Sequence, residues 1–342
     1  MMARRALPVS VTATYLLLFA ANVAVWGWSA LALSAHPALW SLAMLAYIFG
    51  LRHAFDADHI AAIDNVVRKL LQQGKNASNV GLYFSLGHST VVVLACAAIA
   101  VATAPLQQRL ASVHKIGGTV GTAVSAIFLL LIGLANLLVL RRIWITFREV
   151  RHRHPGVGDV LNDPLQGGGF LVHLCQPLLR LVSRSWHVYP VGLLFGLGFD
   201  TATEVGLLSI SAQSSAGGAS VASVLIFPAL FTAGMSLMDT TDSVLMVRAY
   251  GWAFIHPLRK LWYNLTMTAV SVIVALCIGG VEALSLLVGR LDLQGSFWRV
   301  IGGLNDDLSR MGYLVVAIFL ASWVVSIAVY RLRGFEQGCE RI

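Results

Sequence analysis

Long apolar stretches separated by short polar ones dominate the chain. Eight stretches stand out, at about 12–34, 38–66, 79–104, 117–140, 188–212, 219–247, 264–289 and 311–332. Each is close to or above the roughly 20 residues that carry an α-helix across a bilayer. The pattern predicts an all-α, polytopic membrane protein with about eight transmembrane helices. It divides the chain into helices 1–4 in 1–140, a hydrophilic cytoplasmic connector in 141–187, and helices 5–8 in 188–342. The connector carries Arg141, Arg142, Arg148, Arg151, Arg153, Arg180 and Arg184, with Pro155, Gly156 and the run Gly167–Gly169. Such a mixture reads as a linker and not as a folded domain. The first stretch, Val11 to Leu33, exceeds the roughly 7–15 apolar residues of a secretory leader, so a retained first helix is expected.

Composition strengthens the reading. Apolar residues make up 57% of the 342, charged residues 12%, and the mean hydropathy is +0.76. A soluble fold carries about twice that share of charge. The net charge of +8 does not form a nucleic-acid patch, because the basic residues are spread between the apolar stretches. With the N-terminus inside, eighteen Lys and Arg residues fall on the cytoplasmic side and five on the other, with Arg52 inside a span. That asymmetry predicts cytoplasmic N- and C-termini and an even number of spans. Cys96, Cys175, Cys277 and Cys339 are far apart and suggest neither a disulfide framework nor a thiolate metal site.

A short internal likeness is visible between Phe49–Asp58 and Phe195–Thr203, both beginning Phe-Gly-Leu, if two residues are gapped. The segments lie three spans apart, which reverses their membrane orientation and suggests an inverted repeat.

The acids carry the functional signal. Of sixteen Asp and Glu residues, seven fall in or at the edges of four apolar spans: Asp56, Asp58, Asp64, Asp200, Glu204, Asp239 and Asp242. His53, His59 and His88 join them. An ionisable group in a span costs at least about 2.5 kcal/mol and faces a polar interior or pathway. On a regular helix His53, Asp56 and His59 share a stripe about 120° wide, whereas Asp58 falls about 200° from Asp56. Either Asp58 serves another partner or the helix is broken there, as at many transporter binding sites. Arg52, four residues before Asp56, offers it a counter-charge. Asp200 with Glu204, and Asp239 with Asp242, share faces at i,i+4 and i,i+3.

Imidazoles beside carboxylates suit a borderline transition-metal dication, whereas a purely oxygen site suits Mg, Ca or Mn. Ni²⁺ and Co²⁺ fit; so do Zn²⁺ and Fe²⁺ on these grounds. Metal binding requires neutral imidazole, so uptake is expected to weaken in acid. The structural alternatives are concrete. Asp64 pairs readily with Arg68, Asn22 and Asn136 suit interhelical hydrogen bonds, and Met235 and Met238 suit packing. His152, His154, His173 and His187 read as loop residues. An intramembrane metalloprotease needs an H-E-x-x-H pair, and the sequence contains none. A G-x-x-x-x-G-K-(S/T) loop is also absent, so no ATP coupling within the chain and no ATPase subunit is inferred. A proton-coupled carrier of another substrate, using the acids as a relay, stays open as an alternative.

Four segments in order, Arg52–Ile60 (R-H-A-F-D-A-D-H-I), Leu86–Val92 (L-G-H-S-T-V-V), Leu197–Glu204 (L-G-F-D-T-A-T-E) and Gly234–Asp242 (G-M-S-L-M-D-T-T-D), resemble the signatures of the nickel/cobalt transporter family of bacterial and fungal permeases. Ser243 follows the last segment where Gly is common in the family. The resemblance implies a non-enzymatic, multi-pass protein of the bacterial cytoplasmic (inner) membrane. It implies import of Ni²⁺ or Co²⁺ as transported substrate, with no permanently bound cofactor and the bilayer and the dication as partners. The metal-handling residues it implies are His53, Asp56, Asp58, His59, His88, Asp200, Glu204, Asp239 and Asp242. An exporter of the same superfamily is the nearest alternative, although a dense His-rich cytoplasmic loop is missing from 141–187.

Overall fold

The structure, a computed structural model, describes residues 9–34, 37–101, 104–152, 182–197, 201–253, 257–291, 293–307, 311–319, 321, 322 and 325. Among these residues the regular elements are all helical, with no strand. In chain order they are α1 (Val9–Ala32), α2 (Pro37–His53), α3 (Ala57–Gln72), α4 (Val80–Val101), α5 (Ala104–His152), a single 3₁₀ turn (Ser185–Val188), α6 (Tyr189–Phe195), α7 (Ala202–Ala216), α8 (Val221–Val224), α9 (Ile226–Ala253), α10 (Pro257–Leu291) and α11 (Ser296–Asp306). Residues 311–319 form a further helix, α12.

Five segments are long and apolar enough to cross a membrane: Val11–Ala32, Val80–Val101, Thr119–Arg141, Val221–Ala249 and Leu265–Leu291. A sixth candidate is the α2–α3 pair, bent by 50° at the break between His53 and Ala57. The fifth expected span is also divided: α6 ends at Phe195 and α7 begins at Ala202. Of the eighth expected span, residues 311–319, 321, 322 and 325 are described, and most of the connector falls outside the described residues. α5 runs on past Arg141 to His152, so the connector begins as a helical extension. Large apolar side chains such as Leu16, Leu17, Phe19, Leu94, Ile127, Leu245 and Ile273 face outward. A water-soluble protein avoids such wide apolar exposure, and a lipid environment removes its cost.

Two helix crossings bring backbones together around the centre. A Cβ at Gly50 would strike the Phe231 carbonyl, and one at Gly234 would lie 2.8 Å from the Tyr47 carbonyl oxygen and 3.1 Å from the Leu51 nitrogen. The α4–α6 crossing repeats this arrangement. A Cβ at Gly192 would strike the Phe84 carbonyl, and one at Gly87 would strike the Tyr189 carbonyl and lie 2.8 Å from the Leu193 nitrogen. In each case Tyr, Gly and Leu at n, n+3 and n+4 meet Phe and Gly at m and m+3. Small residues permit such approach, and dispersion across the close contact replaces the hydrophobic drive that lipid does not supply. Both tyrosines are tied at their hydroxyls: Tyr47 donates to Asn22 Oδ1 at 3.0 Å, and Tyr189 meets Thr90 Oγ1 at 2.8 Å.

Polar side chains inside the bundle mostly satisfy one another. Asn136 Nδ2 donates to Asn65 Oδ1 at 2.5 Å, linking α5 to α3, and Asn65 Nδ2 donates to the Ala61 carbonyl at 2.7 Å. Asn22 and Asn136 are therefore the interhelical bridges their sequence context predicted. α1 is fastened through Thr14 to Asn79 and through Tyr15 to Thr241, each at 3.2 Å.

Candidate metal site

The break between α2 and α3 builds the site. His53 closes α2, residues 54–56 turn the chain, and Asp56 stands at the N-terminus of α3 in an extended conformation (φ −64°, ψ 141°). The Asp56 side chain makes no cap bond to α3; it turns to His53, with Oδ2 2.8 Å from Nδ1. Neither Asp56 oxygen completes an aligned hydrogen bond, so this contact is electrostatic in character. Thr203 Oγ1 and Thr201 Oγ1 also face His53 Nδ1, at 3.2 and 3.4 Å. No ion pair joins Arg52 to Asp56 among the described residues; the histidine occupies that role.

α7 begins in the same manner. Thr201 is its N-terminal cap, extended at φ −84° and ψ 146°, and accepts from the Glu204 backbone N–H at 3.4 Å. Thr201 Oγ1 also donates to Glu204 Oε2 at 2.9 Å, which turns Oε1 toward the histidines. His88 Nε2 lies 2.9 Å from that Oε1 and 3.0 Å from His53 Nε2. His53 Nε2 to Glu204 Oε1 is 3.8 Å. Two donors at a right angle around a dication about 2.1 Å from each are about 3.0 Å apart, taking zinc–nitrogen and zinc–oxygen bonds as a guide. The two short edges thus match donors converging on one ion.

His59 completes the group. Its ring centroid lies 4.5 Å from that of His53 and 4.9 Å from that of His88. One nitrogen from each of His53, His59 and His88 can be chosen so that all three lie within 4.8 Å of one another. His59 Nδ1 is 3.7 Å from Asp239 Oδ2, beyond hydrogen-bond range. His53, His88, His59, Asp56, Glu204 and Asp239 are all buried, each at most 2% exposed. Phe84 and Phe231, from the two glycine crossings, pack their rings against His59 and His53 at 4.8 and 5.4 Å. The same crossings that hold the bundle together therefore wall the site.

The remaining sequence candidates take other positions. Asp58 lies in the first turn of α3, where its Oδ1 accepts from the His59 N–H at 2.9 Å. Asp242 lies one turn beyond Asp239 on α9. Asp200 lies outside the described residues. Asp64 pairs with Arg68 at 3.0 Å, as its spacing suggested. Thr201 and Thr203 are the residues sequence reasoning passed over. Both sit inside the D-T-A-T-E segment, and hydroxyls between two acids at a helix start were the available signal.

The chain is similar along most of its length to known proteins. A sequence model of the high-affinity nickel-transport protein family matches residues 39–329. The chain is 51% identical over 324 residues to the high-affinity nickel transport protein of Cupriavidus necator, covering 95% of this chain and 92% of that one. It is 52% identical over 316 residues to the hydrogenase nickel incorporation protein HupN of Bradyrhizobium diazoefficiens, covering 92% and 82%. It is 40% identical over 292 residues to the cobalt transport protein NhlF of Rhodococcus rhodochrous, covering 85% and 82%. No solved structure matches.

Proposed function

Because the chain belongs to the high-affinity nickel-transport protein family, we propose that it imports Ni²⁺ and Co²⁺ across the bacterial cytoplasmic membrane. The observation that carries this reading is the convergence of His53 Nε2, His88 Nε2 and Glu204 Oε1, with edges of 3.0, 2.9 and 3.8 Å, in a buried pocket closed by His59. Nitrogen donors with one carboxylate select a borderline dication over Mg²⁺ or Ca²⁺. Asp56 then holds His53 from behind, at Nδ1, so that Nε2 keeps its lone pair for the ion. Asp239 stands behind His59 in a similar relation. Asp58 and Asp242 supply negative charge at the approaches, and Asp200 joins them through the family motif.

The family is one of transporters and not of enzymes, and the ion is cargo. The eight-span plan, with both termini inside, is supported by the charge asymmetry and by the six candidate spans. The inverted repeat is supported by the matched crossings, Tyr47, Gly50 and Leu51 on Phe231 and Gly234, and Tyr189, Gly192 and Leu193 on Phe84 and Gly87. Broken helices meeting at the centre fit alternating access around a fixed site. An inside-negative potential of 100 mV favours dication entry by about 4.6 kcal/mol, twice the roughly 2.3 kcal/mol per unit charge.

The test is uptake of radiolabelled Ni²⁺ and Co²⁺ by cells expressing the chain or its His53→Ala variant. Wild-type cells are expected to accumulate metal and the variant to match empty-vector controls. Equal uptake by the variant refutes the site, and no uptake by the wild type refutes import.

A further inference from the structure

The helix α12 carries none of the metal-site donors, yet it reaches the break on which that site is built. One of its faces is buried: Gly312, Val315 and Phe319 lie inward, and Val315 and Phe319 join the same core as Ala57, Ile60 and Ile63 of α3. Tyr313 and Leu314, on the other face, are 52% and 57% exposed. The first turn of α12 lies directly on residues 54–56. A Cβ at Gly312 would strike the Phe55 carbonyl oxygen and would lie 2.7 Å from its carbon and 3.3 Å from the Ala57 nitrogen. The contact is backbone against backbone, and glycine alone leaves room for it. The next side chain adds a second grip: the Tyr313 ring stacks on that of Phe55, with centroids 5.3 Å apart and planes 25° apart.

Phe55 is joined to the residue that steers His53. Its N–H donates to the Arg52 carbonyl and the Asp56 N–H donates to the His53 carbonyl, both at 2.9 Å. These bonds make the tight turn that ends α2, and α3 then opens with the Ile60 N–H on the Asp56 carbonyl at 3.1 Å. The Phe55 carbonyl and the Asp56 nitrogen belong to one planar peptide group. A push on that carbonyl therefore moves the start of Asp56, whose Oδ2 stands 2.8 Å from His53 Nδ1.

We propose that Gly312 and Tyr313 are positioning residues for the metal site: α12 clamps the Phe55–Asp56 peptide and so holds the Asp56 carboxylate on His53. The inference rests on the histidine-site reading above. It extends the support of the site to a helix outside the four motif segments. In Gly312→Ala the added methyl group and the Phe55 carbonyl cannot share their space. Whether α12 retreats or the peptide shifts, Asp56 loses its aim.

Equilibrium binding of Ni²⁺ to purified full-length protein in lipid nanodiscs tests the clamp, with thermal unfolding measured in parallel. Gly312→Ala is expected to weaken binding about 10–100-fold, the loss typical when the partner of a ligating histidine is displaced. Tyr313→Ala should weaken it about 2–10-fold, the worth of an aromatic pair. Tyr313→Phe keeps the ring and should bind as wild type. The decisive measurement is a double-mutant cycle. Added to Asp56→Ala, Gly312→Ala should cost no further affinity, because the group it positions is already gone. Phe319→Leu, two turns further along the same buried face, controls for lost packing. It should lower the melting temperature and leave Ni²⁺ affinity unchanged. Binding of Gly312→Ala at the wild-type level overturns the proposal. So does a loss that adds in full to that of Asp56→Ala, or an equal loss in Phe319→Leu. If Gly312→Ala does not fold, the cycle is run with Tyr313→Ala and Asp56→Ala under the same criteria. Failure of the histidine site is distinguishable: His53→Ala would then bind Ni²⁺ as wild type does, whereas failure of the clamp alone leaves His53→Ala defective and Gly312→Ala normal.

Discussion

Replacing Asp56 distinguishes a residue that orients a ligand from one that is a ligand. Its Oδ2 sits 2.8 Å from His53 Nδ1, on the side of the ring away from His88 and Glu204. A group in that position acts by fixing ring orientation and raising the basicity of Nε2. Loss of such a partner typically weakens metal binding 10–100-fold, or about 1.4–2.8 kcal/mol. Asp56→Ala is therefore expected to raise the Ni²⁺ dissociation constant by about 10–100-fold. Asp56→Asn, which keeps an oxygen near Nδ1 but loses the charge, belongs near the lower end. His53→Ala removes a donor outright and should exceed both. Helix stability should not obscure the result. An N-cap side chain in use contributes about 0.5–2 kcal/mol, but that of Asp56 makes no cap bond. Equilibrium binding of Ni²⁺ to purified protein, with thermal unfolding in parallel, measures both quantities. The reasoning fails if Asp56→Ala binds like wild type, or if Asp56→Ala and Asp56→Asn are each as damaging as His53→Ala.

Further expectations follow from other parts of the molecule. Gly192→Val places a branched side chain against the Phe84 backbone; overpacking of this kind costs about 1–3 kcal/mol, and folded yield in detergent should fall well below wild type. Asn136→Leu breaks the bridge to Asn65 and should destabilise by about 0.6–2 kcal/mol, read from thermal unfolding in nanodiscs, with Ni²⁺ affinity preserved. Uptake should decline as the medium is acidified through about pH 6.5, where free imidazole takes up a proton and ceases to be a ligand; a flat profile from about pH 7.5 to about pH 5 would count against histidine ligation. Excess Mg²⁺ should compete poorly with Ni²⁺ in uptake, because the central donors are imidazoles, and strong competition would contradict that donor set.

Much of the site was legible in the sequence because ionisable groups are costly inside apolar spans. His53, His59, His88 and Glu204 stood out as rare residues in lipid-compatible stretches, and they converge. The helical wheel also exposed the conflict between Asp56 and Asp58, which the 50° break resolves by letting Asp56 turn back to His53. The proposed repeat was legible in the sequence only as a likeness and in a different register. The shared Phe-Gly-Leu strings align Gly50 with Gly196, whereas backbone packing matches Gly50 with Gly192. String identity does not report which face of a short helix meets its neighbour, and only the crossings reveal that. Thr201 and Thr203 were missed for a similar reason. A hydroxyl in a span is unremarkable until the acid beside it is seen to need steering.

The depth of the histidine pocket has a consequence for speed. His53, His88 and Glu204 are 1%, 2% and 0% exposed, and aromatic rings close two of the walls. An ion that reaches these donors has left its water shell behind, and small, strongly hydrated dications surrender that shell reluctantly. Exchange of that shell for protein donors is then a step of its own in transport, distinct from the ion's arrival. Fixed donors at such depth favour holding a scarce ion over passing many quickly.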